Sequence, residues 1–325
     1  MRQPSRVASA RALLGCLCLS LGLATACDDD AAAAGPDPDG STGAADGAVP
    51  DPDAAATDCD AIPAGPFTAT RVLDVVPNED IAFDDDGNLL WNEFFAGIYR
   101  TRVDGTTTLF VPDLRFDASM RMTPSGDLYV NDNQKYELVR IDPTGARDPV
   151  LKDIDYPNGM EVDPQGRIYF SEPSIGRVSR YDPATDERIT IASGLSSPSG
   201  LSFNPTFDLL YIGGFGGDGL KAVAIAGDGT PGEPQPFADG IGSGNFSGMA
   251  VDECGNLYVG EYAGRILRIA PDGLSRTVIY RDPGAPIHNV QWPRGGDWGA
   301  TSLYVVLDSE EVRVLDVGVR GKHFW

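Results

Sequence analysis

The stretch that decides the fold is "DYPNGMEVDPQGRIYFSE", which runs from Asp155 to Glu172. It opens with a Pro-Asn-Gly turn and continues as a short apolar strand, "GMEV". A Pro-Gln-Gly turn then reverses the chain, because proline and glycine supply the backbone angles that tight turns require. A second strand, "RIYF", follows and ends at a serine and a carboxylate. The stretch therefore predicts a β-hairpin, whose meaning depends on whether it recurs.

The same hairpin pattern recurs along the rest of the chain. The other copies are "EDIAFDDDGNLLWNE" from Glu79, "SMRMTPSGDLYVND" from Ser119, "SGLSFNPTFDLLYIGG" from Ser199, "SGMAVDECGNLYVGE" from Ser247 and "HNVQWPRGGDWGATSLYVVLD" from His288. The equivalent second-strand positions, Leu90, Tyr129, Tyr169, Tyr211, Tyr258 and Tyr304, are spaced by 39, 40, 42, 47 and 46 residues. A period near forty residues indicates a repeat architecture.

Each repeat reads as four short strands separated by turns rich in Pro, Asp and Gly, and no stretch after residue 66 shows helical periodicity. Four strands per repeat predict an all-β fold, a six-bladed β-propeller with four-stranded antiparallel blades, over residues 63–325. The sixth repeat lacks an outer strand, and "FTATRVLDV", Phe67 to Val75, is available to supply it. This N-terminal strand would close the ring and remove the free sheet edges.

The N-terminal residues predict export. Three arginines precede an apolar run that is too short to span a membrane comfortably, so residues 1–26 read as a signal peptide. The letters "LATAC", ending at Cys27, look like a bacterial lipoprotein box in which the cysteine receives a lipid. The alternative is plain secretion with cleavage before Cys27. We expect a lipoprotein of the bacterial cell envelope, facing the periplasm or the cell surface and touching the membrane only through its lipid.

Composition limits the roles of the remaining segments. Residues 27–62 are dominated by Asp, Ala, Gly and Pro, and predict a disordered, self-repelling tether behind the lipid anchor.

The formal charge of the whole chain is −23, which argues against a nucleic-acid partner because phosphate binding needs clustered Lys and Arg. The acidity suits a cation ligand or simple solubility. Nothing in the sequence indicates an oligomer, so a monomer is the default expectation.

The cysteine inventory predicts one disulfide. Of the five cysteines, two leave with the signal peptide and Cys27 is assigned to the lipid, which leaves Cys59 and Cys254. An exported protein meets an oxidising compartment, where paired thiols form disulfides. The closing strand that begins at Phe67 starts on the face that carries the "DECG" turn, so Cys59 lies within reach of Cys254.

The propeller topology assigns side chains to faces. In a blade, the loop before the first strand and the loop after the second strand lie on one face, around the central channel. The first group of loops carries Glu79, Asp80, Ser119, Asn158, Ser199, Ser247, His288 and Asn289. The second group carries Asn92, Glu93, Asn131, Asp132, Ser171, Glu172, Glu261 and Asp308. The sequence therefore predicts a polar, largely acidic channel mouth, although polar residues after a second strand are also ordinary propeller structure.

At this point the repeats resemble the gluconolactonase, senescence-marker-protein and luciferin-regenerating-enzyme family over about residues 67–325. The similarity is clearest in "NEDIAFDDDGNLL", "YPNGMEVDPQGRIYF" and "FSGMAVDECGNLYVGEY". The resemblance implies a six-bladed propeller with one divalent cation at the channel mouth, calcium above Mg²⁺, Mn²⁺ or Zn²⁺, and hydrolysis of lactones or related esters.

The resemblance also implies roles for single residues. Glu79 occupies the position of the family's blade-one metal ligand, and Asn158 matches an Asn that binds metal or substrate. Ser199 and Ser247 stand where the family has a metal-binding Asn and Asp, and would face the substrate. Asn245, Asp80 or Asn289 could replace a missing ligand.

Catalysis would require a base near the cation. The candidates are Asp132, Glu172 and His288, each predicted at the mouth and able to accept a proton from water, or else a metal-bound hydroxide. His288 is alternatively a ligand or an ordinary hydrogen-bonding residue of the rim. The sequence thus favours a lactonase-like hydrolase that acts on a small lactone or ester. The alternative is a non-catalytic propeller that binds a cell-envelope protein, a peptide or a glycan through the same face.

Overall fold

A computed structural model describes residues 57–72, 77–217, 219–238, 241 and 244–322. The predicted signal peptide, Cys27 and most of the predicted tether lie outside these residues, as do the last three residues of the predicted closing strand. No helix within the described ranges has the length and apolar character needed to cross a membrane.

The described residues form six four-stranded antiparallel sheets, as the repeat predicted. Blade one contains β2 (Ile81–Phe83), β3 (Leu89–Glu93), β4 (Gly97–Thr101) and β5 (Thr107–Pro112). Blade two contains β6 (Met120–Met122), β7 (Leu128–Asp132), β8 (Glu137–Ile141) and β9 (Arg147–Leu151). Blade three contains β10 (Met160–Val162), β11 (Ile168–Glu172), β12 (Arg177–Asp182) and β13 (Glu187–Ala192).

The second half of the ring repeats this order. Blade four contains β14 (Pro198–Phe203), β15 (Leu209–Gly214), β16 (Leu220–Ala224) and β17 (Gln235–Phe237). Blade five contains β18 (Phe246–Val251), β19 (Leu257–Glu261), β20 (Arg265–Ile269) and β21 (Arg276–Arg281). Blade six contains β22 (Ile287–Gln291), β23 (Ser302–Leu307), β24 (Glu311–Asp316) and β1 (Thr70–Arg71). Two 3₁₀ turns, Pro173–Ile175 and Gly296–Trp298, interrupt the loops.

The second strand of each blade is the most hydrophobic because it is covered on both faces by neighbouring blades. Every residue of β7, β11 and β19 is buried, whereas the outer strand β9 is exposed or half-buried. The repeated aromatic residues fill the inter-blade core: Tyr169 meets Phe203 edge to face at 4.9 Å between ring centroids, and Tyr258 meets Trp292 at 4.8 Å. Such pairs add specific geometry to the apolar area that they bury.

The ring is closed by the N-terminal strand, as predicted. β1 pairs antiparallel with β24, with Thr70 opposite Val314, and the backbone N–H of Val72 donates to Val312 O at 2.9 Å. Blade six thus gains its fourth strand from the opposite end of the chain, and β24 has a partner on each side. Closure matters because an unpaired edge strand is a template for aggregation.

A disulfide joins the segment before β1 to the ring. Cys59 and Cys254 are bonded, and their Cα atoms are 5.6 Å apart. Cys254 lies in the turn after β18. This turn is on the face of the ring opposite the loops that precede the inner strands. The same segment is held by Arg268, whose Nη1 donates to Pro63 O at 2.8 Å. The chain therefore reaches β1 along this opposite face.

The C-terminal residues close the channel at that same end. Gly321 forms a β-bridge with Asp252, and the buried Lys322 side chain enters the space between the inner strands. Its Nζ lies 3.2 Å from Glu161 Oε2, 3.3 Å from Ser202 Oγ and 3.1 Å from Phe203 O. Burial lowers the pKa of Lys322, while the charge of Glu161 and its hydrogen bond oppose that shift. The channel therefore has a polar, ion-paired floor.

Candidate functional site

The loops that precede the inner strands converge on one cavity at the channel mouth. Its enclosed volume is about 20 Å³, so the cavity is narrow and widens only towards solvent. Its lining includes the whole first group of predicted residues: Glu79, Asp80, Ser119, Asn158, Ser199, Ser247, His288 and Asn289. Each of them lies just before its inner strand or within the strand's first residues, so the propeller topology alone brings all six blades to this point.

Glycines after the mouth residues set how closely the inner strands approach. A Cβ on Gly159 would lie 1.9 Å from the carbonyl oxygen of Ser199, and one on Gly200 would lie 1.8 Å from that of Ser247. No side chain larger than hydrogen fits at either place. The recurring Asn-Gly and Ser-Gly pairs are thus a packing requirement, and they hold Asn158, Ser199 and Ser247 side by side.

Two carboxylates meet at the edge of this cavity, Glu79 from its lining and Asp117 from the connection beside it. The side chains of Glu79 and Asp117 are in hydrogen-bond contact, and Glu79 also receives a hydrogen bond from the amide of Asn158. Burial raises the pKa of Glu79 well above its usual value, and the charges of Asp117 and Asp80 raise it further, while the Asn158 hydrogen bond opposes them. Like charges held this close are stable only with a shared proton or a bound cation.

Asn158 connects the carboxylate pair to blade four. Its Oδ1 accepts a hydrogen bond of 2.8 Å from Ser199 Oγ, and its amide nitrogen faces Glu79. The serine hydroxyl can donate or accept, so rotation of the amide by 180° keeps this bond and turns the oxygen towards Glu79. Both predicted roles of Asn158, cation ligand and substrate donor, are therefore compatible with its surroundings.

Asp80, by contrast, is neutralised inside the protein. Its Oδ2 lies 2.6 Å from Arg121 Nη1 and accepts from Met120 N at 3.0 Å, and its Oδ1 accepts from Ile81 N at 2.7 Å. Asn289 was predicted as a ligand, yet its Nδ2 donates to the same carboxylate. Its Oδ1 accepts from Val290 N at 2.8 Å. Asp80 and Asn289 therefore brace the cavity wall.

His288 has an aromatic and an acidic neighbour at the cavity. It lines the cavity, and its ring stacks on Tyr262 with 5.8 Å between centroids and 12° between planes. Nε2 lies 3.0 Å from Asp308 Oδ1, but both ring nitrogens are buried and neither makes a well-aligned hydrogen bond within the described residues. A carboxylate beside one ring nitrogen favours the proton on that nitrogen and leaves the other as an acceptor.

Asp132 and Glu172 have partners that indicate a structural role instead of the base role considered above. Glu172 is fully buried; burial alone would raise its pKa, but hydrogen bonds from Arg177, Ser179 and Arg188 outweigh it and lower the pKa to about 2. Asp132 Oδ1 accepts from the backbone N–H groups of Gln134 at 3.1 Å and Lys135 at 3.0 Å. Neither residue lines the cavity.

Comparison with known proteins shows which family the chain resembles. Residues 157–305 match the model of the SMP-30/Gluconolactonase/LRE-like region. The chain is similar to SMP-30/gluconolactonase/LRE-like propellers. A gluconolactonase of Zymomonas mobilis is 26% identical over 227 residues, which cover 60% of this chain and 62% of that protein. The chain thus spans less than two thirds of this relative's length.

Solved structures of this family share the fold. A gluconolactonase from Xanthomonas campestris superposes with a TM-score of 0.68 at 20% identity, covering 80% of this chain and 93% of that one. A calcium-binding regucalcin from Agrobacterium tumefaciens superposes with a TM-score of 0.63 at 19% identity, covering 80% and 96%. At these identities the likeness establishes the propeller alone.

The oxygen atoms at the channel mouth of this chain fit a hard divalent cation. Within the described residues, no group of three or more His, Cys, Asp or Glu side chains is arranged to hold a metal. The donors available here are two carboxylates, Glu79 and Asp117, with the amide of Asn158 and the hydroxyl of Ser199 beside them. Such an all-oxygen set suits Ca²⁺ or Mg²⁺, and the crowding of the two acids is the feature that a cation would relieve.

Sequence reasoning missed Asp117 and Arg121. Asp117 belongs to the connection between blades one and two, where "RFDAS" has no counterpart in the other repeats. Its backbone N–H donates to Asn133 Oδ1 at 3.0 Å, and Asn78 donates to its carboxylate. Arg121 lies inside the apolar pattern of β6, where a cation is unexpected; that break in the pattern was the available signal, because a buried charge needs a partner.

Proposed function

We propose that the chain hydrolyses the ring ester of a small-molecule lactone, or a related ester, at the opening of the axial cavity, with one divalent cation at Glu79. Calcium is the first candidate, ahead of Mg²⁺, Mn²⁺ and Zn²⁺. The observation that carries the proposal is the contact between the carboxylates of Glu79 and Asp117 beside the Asn158 amide. The relationship to gluconolactonases supports the reaction class.

Glu79 and Asp117 would hold the cation, with Asn158 contributing its amide oxygen. When bound, such a cation polarises a lactone carbonyl and makes a bound water more acidic. Ser199 and Ser247 line the same cavity and have hydroxyl groups to donate to substrate oxygens. The chain's own residues thereby fix the lactone carbonyl next to His288.

His288 then serves as the general base. Water oxygen attacks the carbonyl carbon while Nδ1 of His288 takes the water proton, and Asp308 stabilises the imidazolium through Nε2. The ring C–O bond breaks as the carbonyl reforms, and the leaving alkoxide takes the proton back from His288. The product is a hydroxy acid, whose new carboxylate is repelled by the acidic cavity.

Cation binding should stabilise the folded protein. A ligand that binds only the native state at a hundred times its Kd adds about 2.7 kcal/mol, which for a domain of this size raises Tm by roughly 5–10 °C. We expect Ca²⁺ to produce this rise in calorimetry on chelator-treated protein, together with lactone hydrolysis followed by acid release. A proton competes for Glu79, whose pKa is raised, so the effect should shrink as pH falls through that pKa.

A negative result for both cation binding and lactone hydrolysis would exclude the proposed hydrolase. If Ca²⁺, Mg²⁺, Mn²⁺ and Zn²⁺ all leave Tm unchanged and no lactone is opened, the hydrolase proposal is wrong. The propeller would then be a non-catalytic module that binds an envelope protein, peptide or glycan through the same mouth.

We also propose that the chain is exported and anchored through a lipid on Cys27. The N-terminal sequence supports this, and plain secretion is the competing possibility. In a bacterial host that processes lipoproteins, we expect the full chain in the detergent-soluble membrane fraction and the Cys27→Ser variant in the soluble fraction. A matched Cys59→Ser variant should stay with the membrane, and equal partition of Cys27→Ser and the wild type would rule the anchor out.

A further inference from the structure

Exposed apolar side chains are concentrated around the cavity. Among the described residues, the large hydrophobic side chains that remain exposed on the mouth loops are Phe95, Tyr136, Tyr156, Ile175, Phe215 and Tyr262. The other exposed ones, Val103, Leu109 and Leu274, lie on outer strands or on turns at the opposite face. Burying apolar surface is favourable, so a one-sided accumulation of it marks a binding surface.

Three rings form a continuous wall on one side of the cavity, which we call wall one. His288 stacks on Tyr262, and Tyr262 meets Phe215 edge to face with 5.7 Å between centroids and 75° between planes. Tyr262 is 42% exposed and Phe215 is 38% exposed. Wall one is therefore a row of three rings that begins at the His288 imidazole in blade six and ends at Phe215 in blade four.

A second pair of rings forms wall two. Tyr136 and Tyr156 lie 6.5 Å apart between centroids at a tilt of 54°, and they are 49% and 42% exposed. Both have left-handed backbone angles, with φ of 60° and 48°, which are unfavourable for a bulky side chain. Both rings are nevertheless exposed to solvent. Backbone strain of this kind is concentrated at binding sites.

The two walls face each other across the axis. Tyr136 follows the second strand of blade two, and Tyr156 precedes the inner strand of blade three. Tyr262 follows the second strand of blade five, and His288 belongs to blade six. In a ring of six blades, two and five are opposite, as are three and six. A planar group standing in the mouth would therefore have an aromatic surface on each side.

Charge at the mouth disfavours an anionic ligand. Glu79, Asp117 and Asp308 all present carboxylates to the cavity or its edge. Four basic side chains near the mouth are already paired: Arg177 and Arg188 with Glu172, Arg265 with Glu261, and Lys135 with Asp132. A neutral ligand avoids both the repulsion and the cost of breaking these pairs.

We propose that walls one and two select lactones that carry a neutral, planar aryl group, which they clamp while the ring ester lies at His288 and Glu79. This inference rests on the proposed lactone hydrolysis. A lactone with many hydroxyl groups would find few hydrogen-bond partners along Phe215, Tyr262 and Tyr136, whereas an aryl group buries flat apolar area against them. Aromatic pairs add to that burial when they stack or meet edge to face.

The test compares dihydrocoumarin, an aryl lactone, with δ-valerolactone and glucono-δ-lactone. We expect the wild type to prefer dihydrocoumarin in kcat/KM. The ratio of kcat/KM for dihydrocoumarin to that for δ-valerolactone should fall about tenfold in Phe215→Ala and in Tyr136→Ala, and further in the double variant. The matched control is Leu274→Ala, an exposed side chain of blade five on the opposite face, which should change the ratio less than twofold.

A binding measurement separates this inference from the proposed function. The unreactive lactam analogue of dihydrocoumarin should bind the wild type about tenfold more tightly than either single variant, as measured by calorimetric titration. Lactone hydrolysis with a ratio unchanged in both variants, or a preference for glucono-δ-lactone, would overturn the aryl clamp alone. Lactam binding that depends on Phe215 and Tyr136, with no hydrolysis of any lactone, would support the clamp and overturn the hydrolase.

Discussion

Glu79→Gln is expected to lower cation-dependent lactone hydrolysis about a thousandfold, mainly in kcat. Glutamine keeps the size of the side chain but removes the charge that opposes a divalent cation, and the lost stabilisation of the reacting carbonyl is of the order that one catalytic electrostatic contact supplies. The same variant should also lose the Ca²⁺-induced rise in Tm. Without cation it should be at least as stable as the wild type, because the repulsion with Asp117 disappears.

Two controls make this result specific. Glu233→Gln changes the same charge on an exposed loop of blade four and should leave turnover and the calcium effect intact. Asp117→Asn removes the other carboxylate of the pair and should weaken calcium binding in parallel. Wild-type turnover in Glu79→Gln would show that this carboxylate does not hold the cation.

Asp80→Ala is expected to destabilise the protein by about 3–5 kcal/mol, a large share of the stability of an ordinary domain. The substitution leaves the Arg121 guanidinium buried with no counterion, and it removes the acceptor for Met120 N, Ile81 N and Asn289 Nδ2. It also relieves some repulsion on Glu79. That gain is the smaller effect, since Arg121 already neutralises Asp80 at 2.6 Å.

Denaturant unfolding monitored by tryptophan fluorescence measures this loss. The comparison is Arg71→Ala, which breaks the 3.8 Å pair with Glu311, where the two side chains are 51% and 26% exposed. That variant should cost at most about 1 kcal/mol, as pairs near the surface do. An Asp80→Ala loss no larger than that of Arg71→Ala would mean that the Asp80–Arg121 pair does not stabilise the channel wall.

The sequence was sufficient for the ring because burial imposes its pattern on every blade. The second strand of each repeat is covered on both faces, so its apolar residues recur at a fixed period, and Tyr169 and Tyr258 follow from that requirement. The missing outer strand of blade six could be assigned to the N-terminal segment because a closed ring leaves no other partner for β24. Topology then placed Glu79 and Asn158 at one mouth.

The repeat pattern could not predict which side chains form hydrogen bonds or ion pairs with each other. Asp132, Glu172 and Glu261 repeat at one blade position, and a repeat cannot tell a reactive carboxylate from one that is bound to a nearby basic side chain. Glu172 meets Arg177 at 2.8 Å, which settles its role only once strands β11 and β12 are paired. Asp117 was not predicted as a site residue for the opposite reason: it lies in a connection that no other blade repeats.

The buried Lys322 side chain has a consequence for turnover. Together with Glu161, Ser202 and Phe203, it fills the end of the channel opposite the mouth. Substrate and product therefore share the opening that the two aromatic walls flank. Because like charges at this opening repel the newly formed carboxylate, we expect the hydroxy acid to compete only weakly with fresh substrate.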